Sequence, residues 1–203
     1  MEIAIKLGTS LMTMQAATLR LDDPDEVRWV LRAHTGDETA YRWLMERYRT
    51  RVVRLAAHVL RRECDAEDIA QEAFIQAFRR IKTLKSPDRF RPWLFQIVVR
   101  LCLDQKRLKR WKSEEDLDMH EMVGHVGESA DILNRVFVEH LLAQMSPPMR
   151  AALILSELEG MEYEEIAEAL SIPVGTVRSR LNAARSRFRE MWNSVEVENA
   201  GSC

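Results

Sequence analysis

An all-α fold is predicted by three observations. Apolar residues recur at helical spacing along nearly the whole chain. Only seven Gly and six Pro interrupt 203 residues, too few for a turn-rich β protein. In the clearest stretch, Asp65–Lys82, no alternating strand pattern competes with the helical one. A hydrophobic share of 46% is enough to build cores and, with a net charge of only -2, excludes a wholly disordered chain. No run of apolar residues is long enough to span a membrane.

Taken in order, residues 1–21 read as a loosely ordered extension. The opening MEIAIKLGTSLMTMQAATLR lacks a continuous apolar block and makes a poor secretory signal; Met12 and Met14 are alternative starts. Asp22 to Pro24 and Gly36-Asp37 read as caps or turns ahead of helices. Helical stripes follow over Ala40–Leu60 and Asp65–Lys82. The second carries Ala66, Ile69, Ala70, Ala73, Phe74, Ala77, Phe78 and Ile81 on one face. Further stripes cover Pro92–Leu108, Ile132–Met145, Pro148–Leu158, Tyr163–Leu170 and Val177–Trp192. Cys64, Cys102 and Cys203 form no CxxC pair, which fits a reducing cytoplasm better than a disulfide framework.

A charge switch divides the chain. Arg89 to Lys112 holds eight basic residues and one acidic one, Asp104; Ser113 to Asp131 holds seven acidic residues and no Lys or Arg. Gly124 and Gly127 and weak periodicity mark that second stretch as a linker. The expected organisation is a helical domain over 22–112, an acidic linker over 113–131, a second helical domain over 132–193 and a tail over 194–203.

The strongest local signal lies in the second domain. Tyr163–Leu170 and the segment from Ser171 through Pro173 to Leu181 read as a short helix, a tight turn and a second helix. On that second helix Val177, Leu181, Ala184, Phe188 and Trp192 share one side, and Ser179, Asn182, Ala183 and Ser186 the other. Arg178, Arg185 and Arg189 flank this crest on one edge, Arg180 and Arg187 on the other. A crest of small groups can approach base edges in a major groove while arginines on its shoulders reach phosphates. An ordinary basic surface helix is the competing reading, and the helix–turn–helix spacing with five arginines favours DNA.

In the first domain, the helix over Pro92–Leu108 has a core stripe of Leu94, Ile97, Val98, Leu101 and Leu108. A second stripe of Trp93, Gln96, Arg100, Asp104, Arg107 and Trp111 lies about a quarter turn away, and Lys106, Lys109, Arg110 and Lys112 add charge at its end. Aromatics among cations suit single-stranded DNA, whose bases stack on rings while its backbone follows the charge. The competing reading puts Trp93 and Phe95 in the core, with a solvated basic end. Asp65, Glu67, Asp68, Gln71 and Glu72 open the preceding helix; acids there favour the helix dipole, and an acidic face points to a protein partner. His120 and His125 sit in the linker without a helix to fix them, so no metal site or cofactor is expected. P-loop, GxSxG and HExxH motifs are absent, and no acid/base or nucleophile pair stands out.

With these residues laid out, residues 25–192 resemble the extracytoplasmic-function (ECF) sigma factors, promoter-recognition subunits of bacterial RNA polymerase. Asp65–Phe74 is similar to the family's core-binding helix in region 2. Phe90-Arg-Pro-Trp-Leu-Phe-Gln-Ile97, continued by Asp104–Arg107, resembles its promoter-melting segment. Met145–Arg150, Gly160–Ala167 and Pro173–Leu181 resemble region 4. The resemblance implies that Asp65, Asp68, Gln71 and Glu72 dock on the β′ clamp helices, with the β flap as a further core contact. It implies that Phe90, Trp93, Gln96, Arg100, Lys106 and Arg107 serve −10 recognition and melting, with a flipped base held by the loop Lys82–Arg91. Thr176, Arg178, Ser179, Arg180, Asn182 and Arg185 would read the −35 duplex. The two elements lie roughly 17 base pairs, about 58 Å, apart, and the acidic linker would run through the polymerase. The resemblance further implies a cytoplasmic, non-enzymatic initiation factor with a part in a stress response. An anti-sigma factor would restrain it and could hold it near the membrane. Two departures stand out: Val99-Arg100 replaces a common Arg-Asn, and Ala183-Ala-Arg185 replaces Arg-Ala-Arg, both expected to change the preferred promoter.

Two other readings compete. A free-standing helix–turn–helix regulator would bind specific duplex tightly without polymerase, and a helical enzyme would need the catalytic pairs that the sequence lacks.

Overall fold

A computed structural model of the chain describes residues 24–112, 138 and 140–200, and every regular element in them is helical. In order these are α1 (Pro24–His34), α2 (Glu38–Leu60), α3 (Glu63–Arg80), two 3-10 turns (Ile81–Thr83 and Pro87–Arg89) and α4 (Phe90–Lys112). Then come α5 (Pro147–Glu157), α6 (Tyr163–Leu170) and α7 (Val174–Ala200). The all-α expectation holds. The extension 1–21 and the linker 113–131 lie outside the described residues, and α7 continues to Ala200, beyond the boundary expected at 193.

Local chemistry sets the joints. Gly36, at φ 90°, ends α1 in a conformation that glycine adopts without strain. Asp37 then caps α2. Its carboxylate accepts from the Thr39 and Ala40 amides at 2.9 and 3.3 Å and from Arg32 Nε at 2.8 Å. The Arg32 hydrogen bond, helped by those amides, holds the Asp37 carboxyl below its ordinary pKa. Arg61 closes α2 in the left-handed region at φ 58°, donating its N–H to the Ala57 carbonyl at 2.7 Å.

The first domain is built around α2, whose Leu44, Tyr48, Val52, Leu55 and Val59 are all buried. α3 adds Ala66, Ala70, Ala73 and Phe74, and α4 adds Phe90, Leu94, Phe95 and Val98. Tyr48 stands at the centre, edge-on to Phe90 and Phe95 with ring centroids 5.4 and 6.3 Å away. Its hydroxyl donates to Glu26 of α1 at 2.7 Å, and burial, followed by that carboxylate, pushes the phenol pKa up. In the second domain α5 buries Ala151–Leu155, α6 buries Ile166, Ala167 and Ala169, and α7 buries Val177, Leu181, Ala184 and Phe188.

The two domains pack on each other, α5 against α2 and α6 along α4. Arg150, at the start of α5, is 2% exposed and ties them together. Its Nε and Nη2 donate to the Leu142 and Met145 carbonyls, each at 2.8 Å. Its Nη1 donates to the Val59 carbonyl at 2.9 Å and the His58 carbonyl at 3.3 Å, at the negative end of the α2 dipole. α4 buries more than the one stripe expected from its sequence: Phe95, Val99 and Cys102 are covered as well, Phe95 against Tyr48 in the first domain's core.

Candidate nucleic-acid interface

The helix–turn–helix is made by α6 and α7. α6 opens with a capping box, in which the Glu165 carboxylate takes the Glu162 N–H at 3.0 Å. It ends on Ser171, left-handed at φ 53°, and the Ile172 N–H returns to the Ala167 carbonyl at 3.0 Å. That turn reverses the chain within three residues before α7 begins at Val174. With Val177, Leu181, Ala184 and Phe188 turned inward, Arg178, Ser179, Asn182, Ala183, Ser186, Arg187 and Arg189 are exposed, and Thr176 and Arg180 are half-buried. The Ser179 hydroxyl donates back to the Thr176 carbonyl at 3.0 Å.

Arg185 departs from this row. Its guanidinium turns inward, donating to Glu157 at 2.8 Å, to the Ser156 hydroxyl at 3.3 Å and to the Tyr163 hydroxyl at 3.4 Å. The Glu157 hydrogen bond raises its pKa further. In this conformation Arg185 joins α7 to α5 and α6.

On α4, Arg100 is 75% exposed and 3.8 Å from Asp104, and Arg107 is exposed. Lys106 has its side chain outside the described residues. Trp93 is half-buried with its ring 6.0 Å from that of Phe90. Phe90 is a core residue here: fully buried between Tyr48 and Trp93, it offers no face to a base. Gln96 is engaged across the domain interface, donating to Ser171 Oγ at 2.8 Å and to the Glu168 carbonyl at 3.1 Å. On α3, Asp68, Gln71 and Glu72 are exposed beside Ile75, while Asp65 is half-buried and 3.2 Å from Arg62.

Between the two faces lies a cluster that the sequence did not single out. The Glu159 side chain is fully buried, held by Arg51 Nε at 2.6 Å and Arg54 Nη2 at 2.7 Å. The Arg51 guanidinium also lies over the Tyr48 and Phe95 rings, 5.4 and 5.6 Å from their centroids. Arg91 pairs with Glu165, and Arg89 lies 3.6 Å from Glu168. No group of three or more candidate metal ligands occurs among the described residues, and no described helix is long and apolar enough to cross a membrane.

Residues 44–112 match the family model for Sigma-70 region 2, and residues 138–188 that for Sigma-70, region 4. The chain is 34% identical over 183 residues to the ECF RNA polymerase sigma factor SigE of Mycolicibacterium smegmatis, covering 83% of this chain and 68% of that one. It is 32% identical over 169 residues to the ECF RNA polymerase sigma-E factor of Escherichia coli K12, covering 77% and 88% respectively. The chain belongs to the ECF RNA polymerase sigma factors. As such it is a transcription initiation factor, from a family not known for enzymatic activity. Its fold is shared with CnrH, solved in complex with the cytosolic domain of CnrY. The TM-score is 0.64 at 23% identity, over 83% of this chain and 97% of that one. RpoE of Bartonella quintana, solved with the anti-sigma factor NepR, gives a TM-score of 0.61 at 20% identity, over 75% and 96%. The region 2 match takes in most of α2 with α3 and α4, and the region 4 match takes in α5, α6 and α7 as far as residue 188.

Proposed function

We propose that this ECF factor binds core RNA polymerase through the exposed Asp68, Gln71 and Glu72 of α3, with Asp65 at the edge, against the β′ clamp helices. Region 4 also meets the β flap. The α7 crest then reads the −35 duplex. Arg178, Ser179 and Asn182 take the base edges, Thr176 and Arg180 line the approach, and Arg185 fixes α7 on α5. Trp93, Gln96, Arg100, Lys106 and Arg107 of α4 take the −10 strand once it is melted, while Phe90 supports Trp93 from the core. The observation that carries this reading is the α7 crest, polar and exposed above four buried apolar residues on the second helix of the helix–turn–helix.

An anti-sigma factor is proposed as the cytoplasmic restraint, because RpoE of Bartonella quintana, which shares the fold, was solved with the anti-sigma factor NepR. Arg178→Ala tests the region 4 assignment. Loss of one base-edge contact is worth about 1–3 kcal/mol, so −35-dependent transcription should fall roughly 5- to 150-fold, with core binding unchanged. Loss of core binding in that variant would contradict the assignment.

A further inference from the structure

The ion pairs that Glu159, Glu165 and Glu168 make across the domain interface share one polarity. Region 2 supplies the cation and region 4 the carboxylate: Arg51 and Arg54 with Glu159, Arg91 with Glu165, and Arg89 with Glu168. Gln96 of α4 adds a neutral contact in the same sense, donating to Ser171 Oγ and the Glu168 carbonyl near the end of α6, whereas Arg150 of α5 runs the other way, to the His58 and Val59 carbonyls of α2. Carboxylates and carbonyl oxygens at a helix C-terminus are the groups that most resemble phosphate to a row of arginine and amide donors. Meanwhile Arg178, Ser179 and Asn182 on α7 remain exposed.

We propose that Glu159, Glu165 and Glu168 make the α5–α6 segment an internal phosphate mimic, which latches region 4 onto region 2 and covers the N-terminal part of the −10 face at Arg89, Arg91 and Gln96, while leaving Arg100 and Arg107 of α4 and the −35 face of α7 open. This rests on the reading of α4 as the −10 face. The strength of the latch lies in Glu159 and Glu165. The Arg89–Glu168 pair is half-exposed and contributes little, whereas a buried Glu159 stripped of its arginines is strongly unfavourable. The latch is nevertheless reversible, because separating the domains returns Glu159 and both arginines to water together, and a polyanion competes for the same cations. Docking on core polymerase, which must hold the two domains apart to span both promoter elements, is what opens it.

The test uses the full chain with Cys203→Ser and two spin labels, one on the exposed Cys64 of α3 and one on Glu164→Cys of α6, Cys102 being buried. The parent should give one narrow inter-label distance by pulsed electron resonance. Adding Glu159→Gln and Glu165→Gln should broaden it and shift it outward. The same change should tighten binding of a fluorescein-labelled single-stranded DNA of random sequence about tenfold, with unchanged helical circular dichroism. Glu165→Gln alone keeps the capping box, since Gln serves there as well as Glu. It should give the same shift at smaller amplitude, and it is the deciding variant if loss of the buried Glu159 charge disturbs folding. A broad distance in the parent, or a narrow one in Glu165→Gln, would overturn the latch. Opening without any gain in single-strand binding would overturn the occlusion and would locate the error in the −10 assignment of α4, not in the packing.

Discussion

Arg150→Ala is expected to be the most destabilising single change in the second domain. The guanidinium satisfies carbonyls of two segments, Leu142 and Met145 just before α5 and His58 and Val59 at the end of α2, in a site 2% exposed. Truncation leaves several buried acceptors without a donor, each costing about 1–3 kcal/mol before relaxation. A net loss of roughly 3 kcal/mol should appear as a lower urea midpoint. Arg150→Lys, which cannot fork between the two segments, should recover only part of it. An exposed control, Arg79→Ala, should change stability by no more than about 0.5 kcal/mol. Equal midpoints for Arg150→Ala and the control would show that the link between α5 and α2 contributes nothing.

The second large effect is expected on α3. Asp68 and Glu72 are exposed one turn apart on its outer face, next to Gln71 and the partly exposed Ile75. Reversing both to Lys places two positive charges where a basic partner is proposed to dock, and like charges in an interface cost several kcal/mol. Core binding by the double variant should fall by two orders of magnitude or more, measured by co-sedimentation with core polymerase. Because neither side chain is buried, the thermal midpoint should stay close to that of the parent. Undiminished core binding would move the docking surface elsewhere.

Local signals accounted for most of the helices and for the shape of α7. Val177, Leu181, Ala184 and Phe188 fall at helical spacing, so the exposed crest opposite them followed from the sequence. The capping box was not predicted, although Glu162 and Glu165 stand at the right spacing for one. What could not be read was the packing of region 4 on region 2. Arg51 and Arg54 meet Glu159 across 108 and 105 residues of chain, and an acid in a turn has no local pattern that marks it as buried. A hint lay in α4, where FRPWLFQIVVRLCL is apolar on more than one side; a helix of that kind is covered on more than one side. Phe90 illustrates the same point. An aromatic beside cations suggests a base-stacking platform, yet its ring is taken up by Tyr48 and Trp93.

Run-off transcription with purified core polymerase on a promoter library decides whether this chain confers promoter specificity. Promoter-specific transcripts should appear only when the chain is added to core, from templates sharing one −35 and one −10 sequence. Specific duplex binding by the chain alone, with no promoter-specific transcript from any template in the presence of core, would contradict it.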